Sequence, residues 1–260
     1  MMEIAQKELA VFNKYTFYEE PHLYTCNGEP VSISVTSLID KYTQEFDQKK
    51  WAPIKAKQRG ITTAEMIFEW EWQNKVSQVK GTHLHRYMEH KWRKETYMYP
   101  REEIILQFGF DVLKEFWPKL TAMMDKFYNR FKDDLIYIGL ELIVGSEAFD
   151  IAGSIDFFCY SKKLNGFIII DYKTNKNIKM ENKHQKMKDF LSHLDDCNYI
   201  HYSLQTNMYK YIIQTETNLL IVGEFLIWFN ENNEDFQIIT CKNLYKEAQQ
   251  ILERRRIVYG

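Results

Sequence analysis

Residues 151–176 read IAGSIDFFCYSKKLNGFIIIDYKTNK. Two β-branched and aromatic runs, 151–160 and 166–173, flank the polar turn Lys162-Lys163-Leu164-Asn165, the pattern of two adjacent strands buried in a sheet. Asp156 follows Gly153-Ser154-Ile155, and Asp171 closes Phe167-Ile168-Ile169-Ile170 with Lys173 two residues on. Side chains alternate along a strand, so Asp171 and Lys173 share a face. Buried like charges are costly unless a cation pairs with them. Two carboxylates delivered from adjacent strands suit a hard divalent ion, Mg²⁺ or Mn²⁺, with positions left for water and a phosphate. Taken alone, Asp-x-Lys at a strand end is more often a solvated surface pair.

Outward from this stretch, LIYIGLELIVG (135–145) reads as a third strand before the pair. After it, YSLQTNMYKYIIQT reads as a helix, LLIVGEFLIWF and FQIITC as strands, and YKEAQQILERRR as a closing helix. Residues 48–131 are mostly helical in pattern, punctuated by Gly60, Gly81 and Pro100, with Pro118 placed to start or kink a helix. At the front, HLYTCNGEPVSI (22–33) predicts a hairpin turning at Asn27-Gly28, and Ser34 or Thr36 caps a short helix after it. The expected fold is α/β, a central mixed β-sheet flanked by helices with a helical N-terminal section. The whole chain, 1–260, is expected to form one domain, with residues 1–131 in front and the α/β core in 132–260.

With 34 basic and 36 acidic residues, the chain lacks the overall basic excess of many nucleic-acid-binding proteins, so any such site must be a local patch. The six lysines of 173–188, Lys176 among them, form one candidate patch beside the proposed site; a solvated loop is the alternative. Arg254, Arg255 and Arg256 read as a solvated helix end. Cys26, Cys159, Cys197 and Cys241 are widely spaced with no CxxC pair, which argues against a zinc site, an iron-sulfur cluster or a disulfide framework and favours a reducing compartment. No run approaches the ~18 apolar residues of a membrane span. The expectation is a soluble intracellular protein of the cytoplasm or nucleoid, or of a host cell if viral.

Further polar residues fall at helical spacing. In GTHLHRYMEH, His85 and Glu89 are four apart and share a face, while His83 and His90 point elsewhere and read as surface residues. In LQTNMYKY, Gln205 and Tyr209 share a face. Trp70 and Trp72 could stack bases, although aromatic residues so spaced are more often core.

Taken in order, Gly81-Thr82-x-x-His85-x-x-x-Glu89, Glu141, Gly153-x-x-Asp156, Asp171-x-Lys173 and Gln205-x-x-x-Tyr209 resemble the RecB-like branch of the PD-(D/E)xK nuclease superfamily. The segment SVTSLI followed by Trp51 is similar to its standalone exonucleases. The resemblance implies a restriction-endonuclease-like core. It also implies a metal held by His85, Asp156, Asp171 and the carbonyl of Tyr172, with Lys173 acting on water and phosphate. Gln205 and Tyr209 would assist catalysis and hold substrate. From the residues themselves, Ser34 and Thr36 could donate to a phosphate from a helix N-terminus, with plain capping the alternative, and Lys176 could track the backbone. Glu89 and Glu141 would support a second metal or a water. The four-cysteine iron-sulfur pattern of some relatives is missing, and so is a helicase segment. The implied activity is exonucleolytic cleavage of single-stranded DNA ends in replication, repair or recombination, alongside proteins of those processes. A nicking or structure-selective endonuclease, and a non-catalytic DNA-binding module, stay open as alternatives.

Overall fold

The computed structural model describes the backbone of residues 1–259 and the side chains of residues 1–256. Helix α1 (Met2–Leu9) leads into an antiparallel ribbon of β1 (Tyr15–Tyr18), β2 (Leu23–Cys26) and β3 (Glu29–Pro30). The β2–β3 turn is the expected one. Asn27 (φ 52°) and Gly28 (φ 88°) both take the left-handed conformation that a two-residue hairpin turn requires.

After β4 (Ile33–Ser34), α2 (Val35–Asp40) starts at Ser34, whose Oγ accepts from the Ser37 N–H at 3.1 Å. Helix α3 (Gln48–Arg59) is capped by Asp47 and closed by Gly60 at φ 69°. A capping box of Thr62 and Glu65 starts α4 (Thr63–Arg93). This helix runs through Gly81, so the glycine does not break it as expected. An interior glycine costs only about 1 kcal/mol, and Leu84, Met88 and Trp92 beyond it are buried against the sheet. Helices α5 (Arg101–Phe108) and α6 (Trp117–Phe131) follow, with Pro118 in the first turn of α6.

Strands β5 (Leu135–Ser146), β6 (Ile151–Ser161) and β7 (Gly166–Lys173) form an antiparallel meander. Helix α7 (Asn198–Glu216) carries the chain over to β8 (Ile221–Trp228), which pairs parallel with β7. Strand β9 (Gln237–Thr240) and α8 (Tyr245–Tyr259) complete the chain. The sheet order is β4-β6-β7-β8-β9, with β5 also paired to β6, and the pairings are mixed. One face is covered by α2, α7 and α8 through residues such as Leu38, Leu204, Met208 and Leu252; α4 and α6 cover the other with Leu84, Met88, Met124 and Phe127. The expected mixed sheet between helices is therefore the architecture observed.

Two readings need correction. Arg255 is buried, and its guanidinium donates to the Phe149 and Asp150 carbonyls and to Ser32 Oγ, because α8 packs over the start of β6. His83 is also buried, its Nδ1 3.0 Å from the Tyr97 hydroxyl, since the chain after α4 folds back over that face of the helix.

Candidate active site

The β6–β7 ladder ends at the pair Phe157↔Ile170. At the next position two carboxylates meet, and the backbone partnership gives way to a side chain: Asp156 Oδ2 accepts the Tyr172 N–H at 2.7 Å. Asp171, 3% exposed, faces Lys173 with Oδ2–Nζ at 2.6 Å. Glu141 lies on β5 between the pairs Leu140↔Phe157 and Leu142↔Ile155, opposite Asp156, and holds φ 49°. A non-glycine residue there costs roughly 1 kcal/mol or more, and such strain concentrates at functional sites. Ser154 Oγ donates to Glu141 Oε2 at 3.2 Å.

Helix α4 brings His85 to this sheet end. Its Nε2 lies 3.1 Å from the Tyr172 carbonyl, while Nδ1 faces Glu141 Oε1 at 3.5 Å and Asp156 Oδ1 at 3.6 Å. One ligand atom from each of His85, Glu141 and Asp156 falls within 4.8 Å of the others. A backbone carbonyl that takes one ring N–H fixes the other nitrogen toward a ligand position, the usual support for a metal-binding histidine. The Tyr172 carbonyl thus serves as the partner of His85 in this arrangement.

Burial works against charge on all four ionisable groups, and neighbours decide the outcome. His85 resists burial because Asp156 and Glu141 hold its imidazole up at about 9. Burial pushes Asp171 up to about 6 despite the opposing pull of Lys173. Burial likewise raises Asp156, against His85. Lys173, half-buried, is held above the usual lysine range by Asp171 and Asp156. The cluster therefore holds protons that a divalent cation would displace. Its donors fit such a cation: an imidazole nitrogen and carboxylate oxygens suit Mn²⁺ or Mg²⁺. In addition, Asp171 Oδ2 is buried without an aligned hydrogen bond.

On α7, Gln205 Nε2 donates to the Tyr209 hydroxyl at 3.2 Å, and both side chains are buried. A Cβ at Gly153 would lie 2.8 Å from Tyr209 Cε1, so glycine lets the tyrosine ring rest on β6. One residue absent from the sequence reading belongs here: Lys173 Nζ sits 4.4 Å from the centre of the Tyr202 ring, a cation–π contact. Tyr202 is three residues before Gln205, so helical spacing carried the signal. Asn175 accepts from the Tyr202 hydroxyl at 2.9 Å, and Asn230 Nδ2 donates to the carbonyls of Asn175 and Lys176. The turn after β7 is thereby pinned.

A cleft of about 610 Å³ opens over the cluster, with Phe17, His22 and Tyr24 of the N-terminal ribbon on one wall and Thr82, His85 and Glu89 of α4 on the other. Arg86 of α4 pairs with Glu19 of the ribbon at 2.9 Å. Glu89 pairs with Arg93 at 2.7 Å one turn past His85. Ser34 and Thr36 lie beside the start of β6, where Ser34 pairs with Ala152, and their hydroxyls are 3.1 Å apart. The Lys176 side chain is exposed. In the lysine-rich segment, Lys183 pairs with Glu181 and Lys186 with Asp195.

A mixed sheet flanked by helices, with an Asp and an Asp-x-Lys on neighbouring strands, defines the restriction-endonuclease-like class of fold. The sequence pattern of the PD-(D/E)XK nuclease superfamily matches residues 62–256, and the chain belongs to that superfamily. Its nucleases use divalent metals. The crystal structure of SSO0001 is similar over 70% of this chain and 87% of that one, at 10% identity and a TM-score of 0.30. No curated protein matches the chain. No described helix is long and apolar enough to cross a membrane.

Proposed function

We propose that this chain, acting as one nuclease unit, is a divalent-metal-dependent deoxyribonuclease of the RecB-like branch. Its reaction is exonucleolytic hydrolysis of phosphodiester bonds at single-stranded DNA ends, in replication, repair or recombination. The observation that carries the reading is the bridged cleft over the donor cluster, where Arg86 on α4 reaches Glu19 on the ribbon. A cleft walled by the ribbon and α4 and bridged by that ion pair favours a strand that enters from its end.

His85, Glu141, Asp156 and Asp171 would hold the ion, Mg²⁺ or Mn²⁺. When bound, it supplies a Lewis acid for a phosphate oxygen and the attacking water. Lys173 acts as a cation. Asp171 and Asp156 favour its charged form, and its ammonium donates a hydrogen bond to the attacking water or to a phosphate oxygen, offsetting developing charge. Tyr202 holds that ammonium in place from beneath. Gln205 and Tyr209 form a neutral polar wall facing the phosphate, Tyr209 keeping its proton because burial holds the phenol far above its ordinary range. Ser34, Thr36 and Lys176 are placed in this reading as outer contacts to the strand, and Glu89 as support for a water.

The test is topological. Circular single-stranded DNA should survive conditions that degrade the same molecule once linearised. Equal loss of both forms would overturn the exonuclease reading in favour of an endonuclease.

A further inference from the structure

Helix α3 carries Lys49, Lys50, Lys55, Lys57 and Arg59 and no acidic residue. It packs on α4 through Ala52 and Ala56 against Met66, a small cluster separate from the two layers on the sheet. All five cations are exposed. Where the start of α3 meets α4, Phe46, Gln48, Trp70, Glu71 and Asn74 line an open cleft of about 430 Å³. The rings of Phe46 and Trp70 meet edge to face with centroids 5.3 Å apart. Phe46 is 66% exposed, and with the half-buried Trp70 it gives the cleft an open ring surface.

The lining selects what that occupant is. Two aromatic rings offer stacking surfaces, and the amides of Gln48 and Asn74 match the donors and acceptors of a base edge. Glu71 in the lining would repel a phosphate yet can accept from an exocyclic amine. The polyanionic backbone must therefore lie outside the lining, and Lys49 and Lys50, both exposed, directly follow the lining residue Gln48 in the chain. One face of α4 then leads onward. Trp70, Asn74, Gln78, Thr82, His85 and Glu89 recur at three- and four-residue spacing, so they form a stripe. Asn74, Gln78 and Thr82 in its middle are exposed and uncharged. Trp70 lies about 22 Å from His85 along the axis, at 1.5 Å per residue.

We infer that the Phe46–Trp70 cleft is a subsite for an unpaired nucleobase of the substrate strand. Its neighbouring phosphates rest on Lys49 and Lys50, and the strand runs along α4 to the donor cluster. The inference deepens the nuclease reading and rests on it. Paired bases keep their faces and Watson–Crick edges inside the duplex, so the subsite favours single strands.

The experiment measures binding of a fluorescein-labelled 20-nucleotide oligothymidylate, and of a 20-base-pair blunt duplex, to the Asp171→Asn protein in Ca²⁺. Phe46→Ala, which removes an exposed ring and leaves the small core intact, should weaken the 20-mer about tenfold. It should leave the duplex unchanged, because paired bases cannot present a ring face to the cleft. Lys49→Ala with Lys50→Ala should reduce the salt dependence of 20-mer binding by about two phosphate contacts. Unchanged 20-mer affinity in Phe46→Ala, or an equal loss on the duplex, would overturn the inference. The nuclease reading is judged apart, by whether the wild-type protein degrades linear single-stranded DNA with Mg²⁺. A protein that cleaves nothing yet shows the strand-selective loss would retain the subsite and refute the nuclease.

Discussion

Lysine means different things at the two ends of α4. At the sheet end, Lys173 is half-buried against Asp171 and a tyrosine ring, and its charge is held by Asp171 at 2.6 Å. At the other end, Lys49 and Lys50 stand in water on a helix without a single acid. A charge in a low-dielectric pocket is strongly coupled to its neighbours and acts on a bond being broken. A solvated charge is screened and replaceable, suited to holding a polyanion without fixing its sequence. On the proposed function, chemistry lies where burial amplifies electrostatics and grip where it does not.

The comparison breaks first at the carboxylates. Asp156→Asn and Asp171→Asn should each lower cleavage at least ~1000-fold, while DNA binding in Ca²⁺ changes little. A variant that kept near wild-type turnover would remove that aspartate from the site. Lys173→Ala should lower turnover by about 100-fold without weakening Mn²⁺ binding by calorimetry. A large loss of Mn²⁺ affinity would mean that the ammonium organises the carboxylates instead.

Much of this was legible in residues 151–176 and in the helical spacing of His85 with Glu89 and Gln205 with Tyr209, because strand and helix periodicity are local properties. The β2–β3 turn at Asn27-Gly28 and the Ser34 cap were legible for the same reason. What escaped depends on partners distant in sequence. Asp156 takes the N–H of Tyr172, sixteen residues on. Arg86 meets Glu19, and Arg255 is buried against Phe149 and Asp150. No periodicity announces the left-handed backbone of Glu141, since its side chain is turned in by the site rather than by its own strand propensity.

Proton competition sharpens the contrast further. His85 is held at about 9 and Asp171 at about 6, so both bind protons more tightly than their ordinary values, and both must release them to coordinate an ion. Mn²⁺ affinity should therefore rise with pH, about tenfold per unit from 6 to 9 and more steeply below 6, then level off above 9. An affinity flat between pH 7 and 9 would exclude His85 as a ligand. His85→Ala should raise the metal concentration needed for half activity. An unchanged metal dependence would leave His85 a structural residue.

The smallest effect is expected at Tyr202. Tyr202→Leu should reduce turnover about fivefold, in line with a partly buried cation–π contact, with KM unchanged, and Tyr202→Phe should restore most of it. Equal loss in both variants would assign the effect to the hydroxyl held by Asn175 rather than to the ring under Lys173.

The position of a bound metal tests the site most directly. A crystal of the protein grown with Mn²⁺ should show an anomalous scattering peak within coordination distance of His85 Nδ1 and an Asp156 oxygen, adjoining Glu141 and Asp171. That peak should be lost in Asp156→Asn. A peak elsewhere, or none at a concentration that supports cleavage, would contradict the site from which every role above is argued.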